Sequence, residues 1–376
     1  MNKSVIRLLL ALAVVGAVVG GVAALNEFGG GDLLHREATA DLSPVTVSLF
    51  FGGEKTGILQ DPEIVEILKK RYHITLDAQK AGSIEQATDS GLLAQKRDCR
   101  WPSNQVAYDL YSEATHTAQR QQNIFNSPIV IYTWAPTAAA LTKAGLVEQR
   151  NGISYITKTA DLLVMAEDHK PWKDFGLPYF GSVKIATTDP TRSNSGNMFA
   201  ALLATVLNNG DVVDEAAAAR LAPRLVTYFK SLGEMDRTSS DSFEAFLAEG
   251  EGGRPLTVGY ESQIAEYALQ HPEALTLLRQ KIVTLYPLPT MWSSHPLIAE
   301  TPRCNRLIDA MEDKDIQRLA WERHGFRSGL IGVSNDPKVL TVAGIPESID
   351  SVVPMPKADA IGIILDALRP QNAARP

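Results

Sequence analysis

The sequence predicts an α/β fold. Three observations point there: strand-like apolar runs alternate with helix-patterned segments from residue 45 to about residue 330, the globular part opens as strand, loop, helix, strand, and 45% of the 376 residues are hydrophobic. That opening is the unit of a parallel sheet. At roughly 100–200 residues per domain, the length suggests about two domains, or one large domain behind a leader.

The elements follow in order. Lys3 and Arg7 precede an uncharged run from Leu8 to Leu25, a basic flank before a hydrophobic segment. At about 20 residues per membrane crossing, the run suits one N-terminal hydrophobic helix. It acts either as a signal anchor (1–25) or as a signal peptide removed after Ala38-Thr39-Ala40. Retained, it leaves the basic flank inside and the rest outside. Residues 26–44 carry Gly29-Gly30-Gly31 and no apolar period, as a flexible linker does. Val45–Phe51 is a strand ended by Gly52-Gly53. Asp61-Pro62 starts a helix whose buried face is Ile64, Val65, Ile67, Leu68 and Tyr72. His73–Ala78 is the second strand, closed by Ala81-Gly82-Ser83, and Tyr108–Gln119 reads as a helix. Ser127–Trp134 is an apolar strand, and Pro136 opens a helix that stops at Gly145.

Ser182–Thr188 reads as a strand before a helix with Phe199, Leu202, Leu203 and Val206 at helical spacing. Residues 216–233 and 242–249 are further helices. Leu256–Ser262 is a strand leading into a helix to about Leu269, Ile282–Pro289 is another strand, and 305–324 is helical. The tail 369–376 carries no apolar pattern and is expected to be disordered.

Composition removes several function classes. The net charge is −7, and no basic stretch interleaves with aromatics, so no nucleic-acid partner is expected. No phosphate loop, zinc-protease, nucleophile-elbow or dinucleotide fingerprint occurs. The seven histidines are scattered, none three or four residues from another, so neither a metal site nor a cofactor is expected. Cys99 and Cys304 either pair as a disulfide in an oxidising compartment or stay as two thiols.

The most informative segment is Asp189-Pro190-Thr191-Arg192-Ser193-Asn194-Ser195-Gly196-Asn197, between a strand and a strongly patterned helix. A helix N-terminus offers unpaired N–H groups and a partial positive charge, which together favour an anion. Ser193 and Ser195 add hydroxyls, Gly196 allows close approach, and Arg192 adds a forked cation. The plainer reading is an ordinary helix cap with Arg192 in solvent.

These residues resemble the ligand loops of the type II periplasmic solute-binding proteins of ABC transporters, nearest to the sulfate-, molybdate- and phosphate-binding branch. Val45–Lys55 resembles that family's first strand and ligand loop, Ser127–Trp134 its hinge strand, Leu256–Gln263 its returning strand, and Gln317–Arg327 its C-terminal helix. The resemblance covers about residues 45–330. It implies two lobes, each with a mixed, largely parallel sheet, joined by a hinge: lobe 1 from 45–133 and 262–368, lobe 2 from 134–261. It also implies an interlobe ligand site at the strand ends, with Gly53, Glu54, Ser83, Ser127, Arg192, Ser193, Ser195, Gly196, Tyr260 and Glu261 as contacts. The implied partners are a small solute, an oxyanion or carboxylate-bearing one favoured, and an ABC permease, at an extracytoplasmic location. Glu54, Lys55 and Glu261 depart from a plain oxyanion site, which leaves a zwitterionic or neutral polar ligand open. Two other functions compete: a membrane-anchored sensory or scaffold protein on the same fold, and an enzyme using the cleft.

Overall fold

The structure is a computed structural model that describes residues 43–116 and 120–369. The N-terminal hydrophobic segment, nearly all of the linker and the last seven residues lie outside the described residues. No helix among the described residues is long and apolar enough to cross a membrane.

Ten strands order the described residues: β1 Val45–Phe51, β2 Ile74–Lys80, β3 Cys99–Trp101, β4 Arg120–Trp134, β5 Val147–Arg150, β6 Ile153–Ile156, β7 Leu256–Tyr260, β8 Ile282–Pro287, β9 Trp292–Ala299 and β10 Arg327–Ser328. β4 is the axis. Its residues Arg120–Pro128 pair with β9, and Ile129–Trp134 pair with β7 and β8. One sheet therefore runs β2-β1-β3-β9-β4, with β10 beside β4. The other continues from β4 through β8, β6 and β5, with β7 also on β4. Two lobes with a shared strand result, as the resemblance implies.

The sheets are mixed, but pairing is more antiparallel than expected. β1–β2, β1–β3 and β6–β8 are parallel. β3–β9, β4–β9, β4–β7, β4–β8, β4–β10 and β5–β6 are antiparallel. The cause is β4 itself: every strand that returns to it from the far side of a lobe runs against it.

The lobe limits also differ from 262–368 and 134–261. β8 belongs to the second sheet. The helix Ala358–Leu368 buries Ile361, Ile364 and Leu365 in the same apolar cluster as Phe199, Leu203 and Leu225. The first lobe has its own core of Val47, Leu49, Ile64, Phe125, Leu297 and Leu307, among others.

Local chemistry sets the helix starts. Asp61 accepts from the N–H of Glu63 at 2.9 Å and of Ile64 at 3.2 Å, capping Pro62–Arg71 as its sequence predicts. Asp214 caps Glu215–Leu232 through Ala217 N–H at 2.8 Å. Residues 182–188 do not form a ladder strand. They touch β7 through Ala186 N–H to Leu256 and Val258 N–H to Ala186, and bridge Asp236 at Thr188. The flanking Gly181 and Pro190 keep that contact short. Cys99 and Cys304 form a disulfide that ties β3 to the helix Pro302–Met311.

Candidate functional site

The site forms where the ends of β1, β2 and β3 meet the start of the helix Asn194–Leu207. After β1, Gly52 bonds to Trp101 O at 3.2 Å and the chain tightens into a single turn, Gly53–Lys55. That turn drives Glu54 and Lys55 inward, where Glu54 is 6% exposed and Lys55 is 0%. Lys55 Nζ lies 2.5 Å from Glu54 Oε1, 3.0 Å from Ser103 Oγ and 3.1 Å from His295 Nδ1. Ser103 Oγ donates to the same Glu54 oxygen, and Ser103 N–H donates to Ser83 Oγ at 3.0 Å. His295 Nε2 faces Ser293 Oγ at 3.3 Å.

The electrostatics are those of a desolvated, internally neutralised pair. Burial by itself would raise the Glu54 carboxyl, but Lys55 and His295 hold it well below the ordinary carboxylate range. Burial pushes the Lys55 ammonium down, with Glu54 opposing. Burial and then the Lys55 charge lower His295 to about 4, so its ring is neutral at pH 7. A neutral ring accepts from Lys55 at Nδ1 and donates to Ser293 through Nε2–H.

The facing wall is the loop predicted from the sequence. Thr188 Oγ1 lies 2.7 Å from Ser195 Oγ and accepts from Gly196 N–H at 2.8 Å. Ser193 Oγ is 3.3 Å from Ser195 Oγ. Ser193 sits at the N-cap position, but its hydroxyl does not cap the helix. Asn194 reaches across the seam: its Nδ2 donates to Ser103 O at 3.0 Å and to Tyr260 Oη at 2.9 Å, and its Oδ1 accepts from Asn104. Between the walls is a cavity of about 30 Å³, lined by Gly53, Glu54, Gly82, Ser83, Ser193 and Arg237 among others. Lys80 and Arg237, both exposed, stand at its mouth.

The structure therefore brings Gly53, Glu54, Ser83, Ser193, Ser195 and Tyr260 of the expected contacts to one seam. Four others do different work. Arg192 donates to Glu85 Oε1 at 2.7 Å, an ion pair with both side chains partly exposed, because the turn at Asp189–Thr191 aims it along the seam. Gly196 is packed against the Thr188–Pro190 backbone, so what approaches it closely is the protein's own chain. Ser127, fully buried on β4, accepts from Ser262 N–H at 3.2 Å. Glu261 opens the helix Glu261–Gln270 instead of lying in β7. It is fully buried in a bidentate pair with Arg327 at 2.6 and 3.0 Å, and Tyr286 Oη donates to it at 2.7 Å.

Sequence reasoning missed Ser103, Asn104, Asn194, Ser293 and His295 as contacts. Asn194 stood inside the singled-out segment and was findable by position. Ser103 and Asn104 follow the three-residue strand β3, and Ser293 and His295 sit on β9, whose Trp-Ser-Ser-His-Pro start carries no strand signal.

The fold is shared with solved structures. Iron-bound HitA from Pseudomonas aeruginosa superposes with a TM-score of 0.55 at 14% identity, over 86% of this chain and 99% of that one. The substrate-binding protein of an ABC transporter from Agrobacterium tumefaciens gives 0.53 at 15% identity, over 88% and 96%. AfuA from Actinobacillus pleuropneumoniae, with fructose-6-phosphate bound, gives 0.50 at 12% identity, over 86% and 96%. No family model matches the sequence, and no curated protein matches it by sequence. The chain has the two-lobed α/β fold of the type II periplasmic solute-binding proteins. Among the described residues, no three His, Cys, Asp or Glu side chains come together as a metal-ligand set.

Proposed function

We propose that this chain is an extracytoplasmic solute-binding protein that captures a small polar or anionic ligand between its lobes and hands it to an ABC permease, without turnover. One observation carries the reading: a hydrogen-bonded, charge-bearing seam between the lobes, in which Asn194 of one wall closes on Ser103 of the other beside Glu54, Lys55 and His295. Those bonds are the ones a bound solute would exchange for its own on opening and reclosing. Lys80 and Arg237 at the mouth favour an anionic group. The disulfide fits an oxidising compartment, and residues 8–25 either anchor the chain or are removed on export. The cavity of about 30 Å³ favours a second reading, a scaffold or sensor whose cleft is filled by its own side chains.

A thermal-shift panel of sulfate, phosphate, sugar phosphates, amino acids and neutral sugars tests the choice. A true ligand at a hundredfold excess over Kd adds about 2.7 kcal/mol of apparent stability. Asn194→Ala should lose most of that gain. A flat response across the panel, with Asn194→Ala indistinguishable from the parent chain, would favour the filled-cleft protein.

A further inference from the structure

A second cavity, far larger than the one at the seam, opens on the outer face of the second lobe. Its volume is about 580 Å³, within the range of small-molecule sites. It lies between the helix Ala135–Lys143, the hairpin β5–β6, β8 and the segment Val342–Gly344. Its floor is mainly aliphatic: Ile264, Leu278, Ile282 and Val342 are each less than a tenth exposed, with the buried hydroxyl residues Ser154 and Thr284 beside them. Its charged wall residues are Lys143 and Arg279, both exposed. Among the described residues that line it there is no Asp or Glu, in a chain whose net charge is −7. Lys143 forms no ion pair with a described carboxylate. Arg279 gives Nε and Nη2 to Thr341 O at 3.1 and 2.7 Å, which fixes its guanidinium at the rim.

We propose that this groove binds a single-chain amphiphilic carboxylate, a free alkyl carboxylate of medium length. The aliphatic floor takes the chain, since burial of methylenes is favourable and undirected. The ammonium of Lys143 and the guanidinium of Arg279 take the head group, and the acid-free wall raises no opposing charge. The bounded size suits one chain, not a membrane face. The site is independent of the interlobe cleft.

The test uses the full-length chain in nanodiscs of phosphatidylcholine, with empty nanodiscs subtracted, and titrates hexanoate, octanoate and decanoate. Affinity should rise about fourfold per added methylene. Octyltrimethylammonium, with at least as much apolar surface but a cationic head, should not bind. Lys143→Glu should weaken octanoate at least tenfold, and Ala139→Trp, at an exposed lining position, should block it with no change in melting temperature. Asn194→Ala should leave octanoate affinity intact, which separates this site from the cleft. Equal binding of carboxylate and ammonium, octanoate binding that survives Ala139→Trp, no carboxylate binding at all, or displacement of octanoate by phosphatidylglycerol nanodiscs would each overturn the proposal.

Discussion

His295 is 0% exposed and meets Lys55 at Nδ1, Ser293 at Nε2, Glu54 at 3.5 Å and the Phe326 ring edge-on. Its pKa of about 4 lies below the ordinary 6.5, so the unfolded chain binds the extra proton first. Stability should therefore rise with pH from about 4 to 6.5 and be lost as pH falls through that window. The contribution is about 3 kcal/mol. Glu54, whose carboxyl is held down, adds a further loss below its ordinary range. Denaturant titrations at pH 4, 5, 6 and 7 check this. His295→Gln should flatten the slope between pH 4 and 6.5, and an unchanged slope would assign it to other groups. None of this was legible at residue 295: a histidine in a polar stretch gives no sign of what surrounds it. Glu54 and Lys55 were visible as departures from an oxyanion loop, but which charge answered Glu54 depended on a turn that buries both.

At the scale of elements, the helix Asn194–Leu207 was the clearest feature of the sequence. Its apolar spacing buries Met198, Phe199, Leu202 and Leu203 completely. Its start was legible in position and not in purpose. Gly196 has an ordinary backbone conformation, and an added Cβ would press on the backbone of Asp189 and Pro190 at 2.9 and 2.8 Å. Gly196→Ala should therefore cost about 1–3 kcal/mol, and ligand affinity should fall with it. Chemical denaturation reads the first effect. A neutral substitution would mean the loop can withdraw freely. β4 was recognised only over Ser127–Trp134. Its first half, Arg120–Asn126, is polar and half-exposed in part, and becomes a strand because β9 pairs along it. β9 needs β4 in turn, a mutual dependence that no local pattern expresses.

Over the whole molecule, the disulfide and β4 hold distant parts together. Cys99 and Cys304 are 205 residues apart in sequence and both 0% exposed, with Cα atoms 5.4 Å apart. Replacing both by Ala should destabilise the chain by about 2–5 kcal/mol. Equilibrium denaturation of the variant against the oxidised parent checks it, and an unchanged midpoint would show that the first-lobe core carries that lobe unaided. Arg192–Glu85 is a contrasting link. Its side chains are about a third exposed, so it adds little to the stability of the fold.

The alternation of strands and helices, the Asp61 cap, the Asn194–Leu207 helix and the class of fold followed from sequence alone, because each rests on period and cap chemistry within a few residues. Cys99 pairing with Cys304 was open in sequence and settled by proximity in the folded chain. The return of β8 and the last helix to the second lobe, the burial of Glu261 against Arg327, and the meeting of Asn194 with Ser103 were decided only by tertiary structure. Each joins residues tens to hundreds of positions apart, and whether a polar side chain faces a ligand or a partner depends on what packing brings beside it.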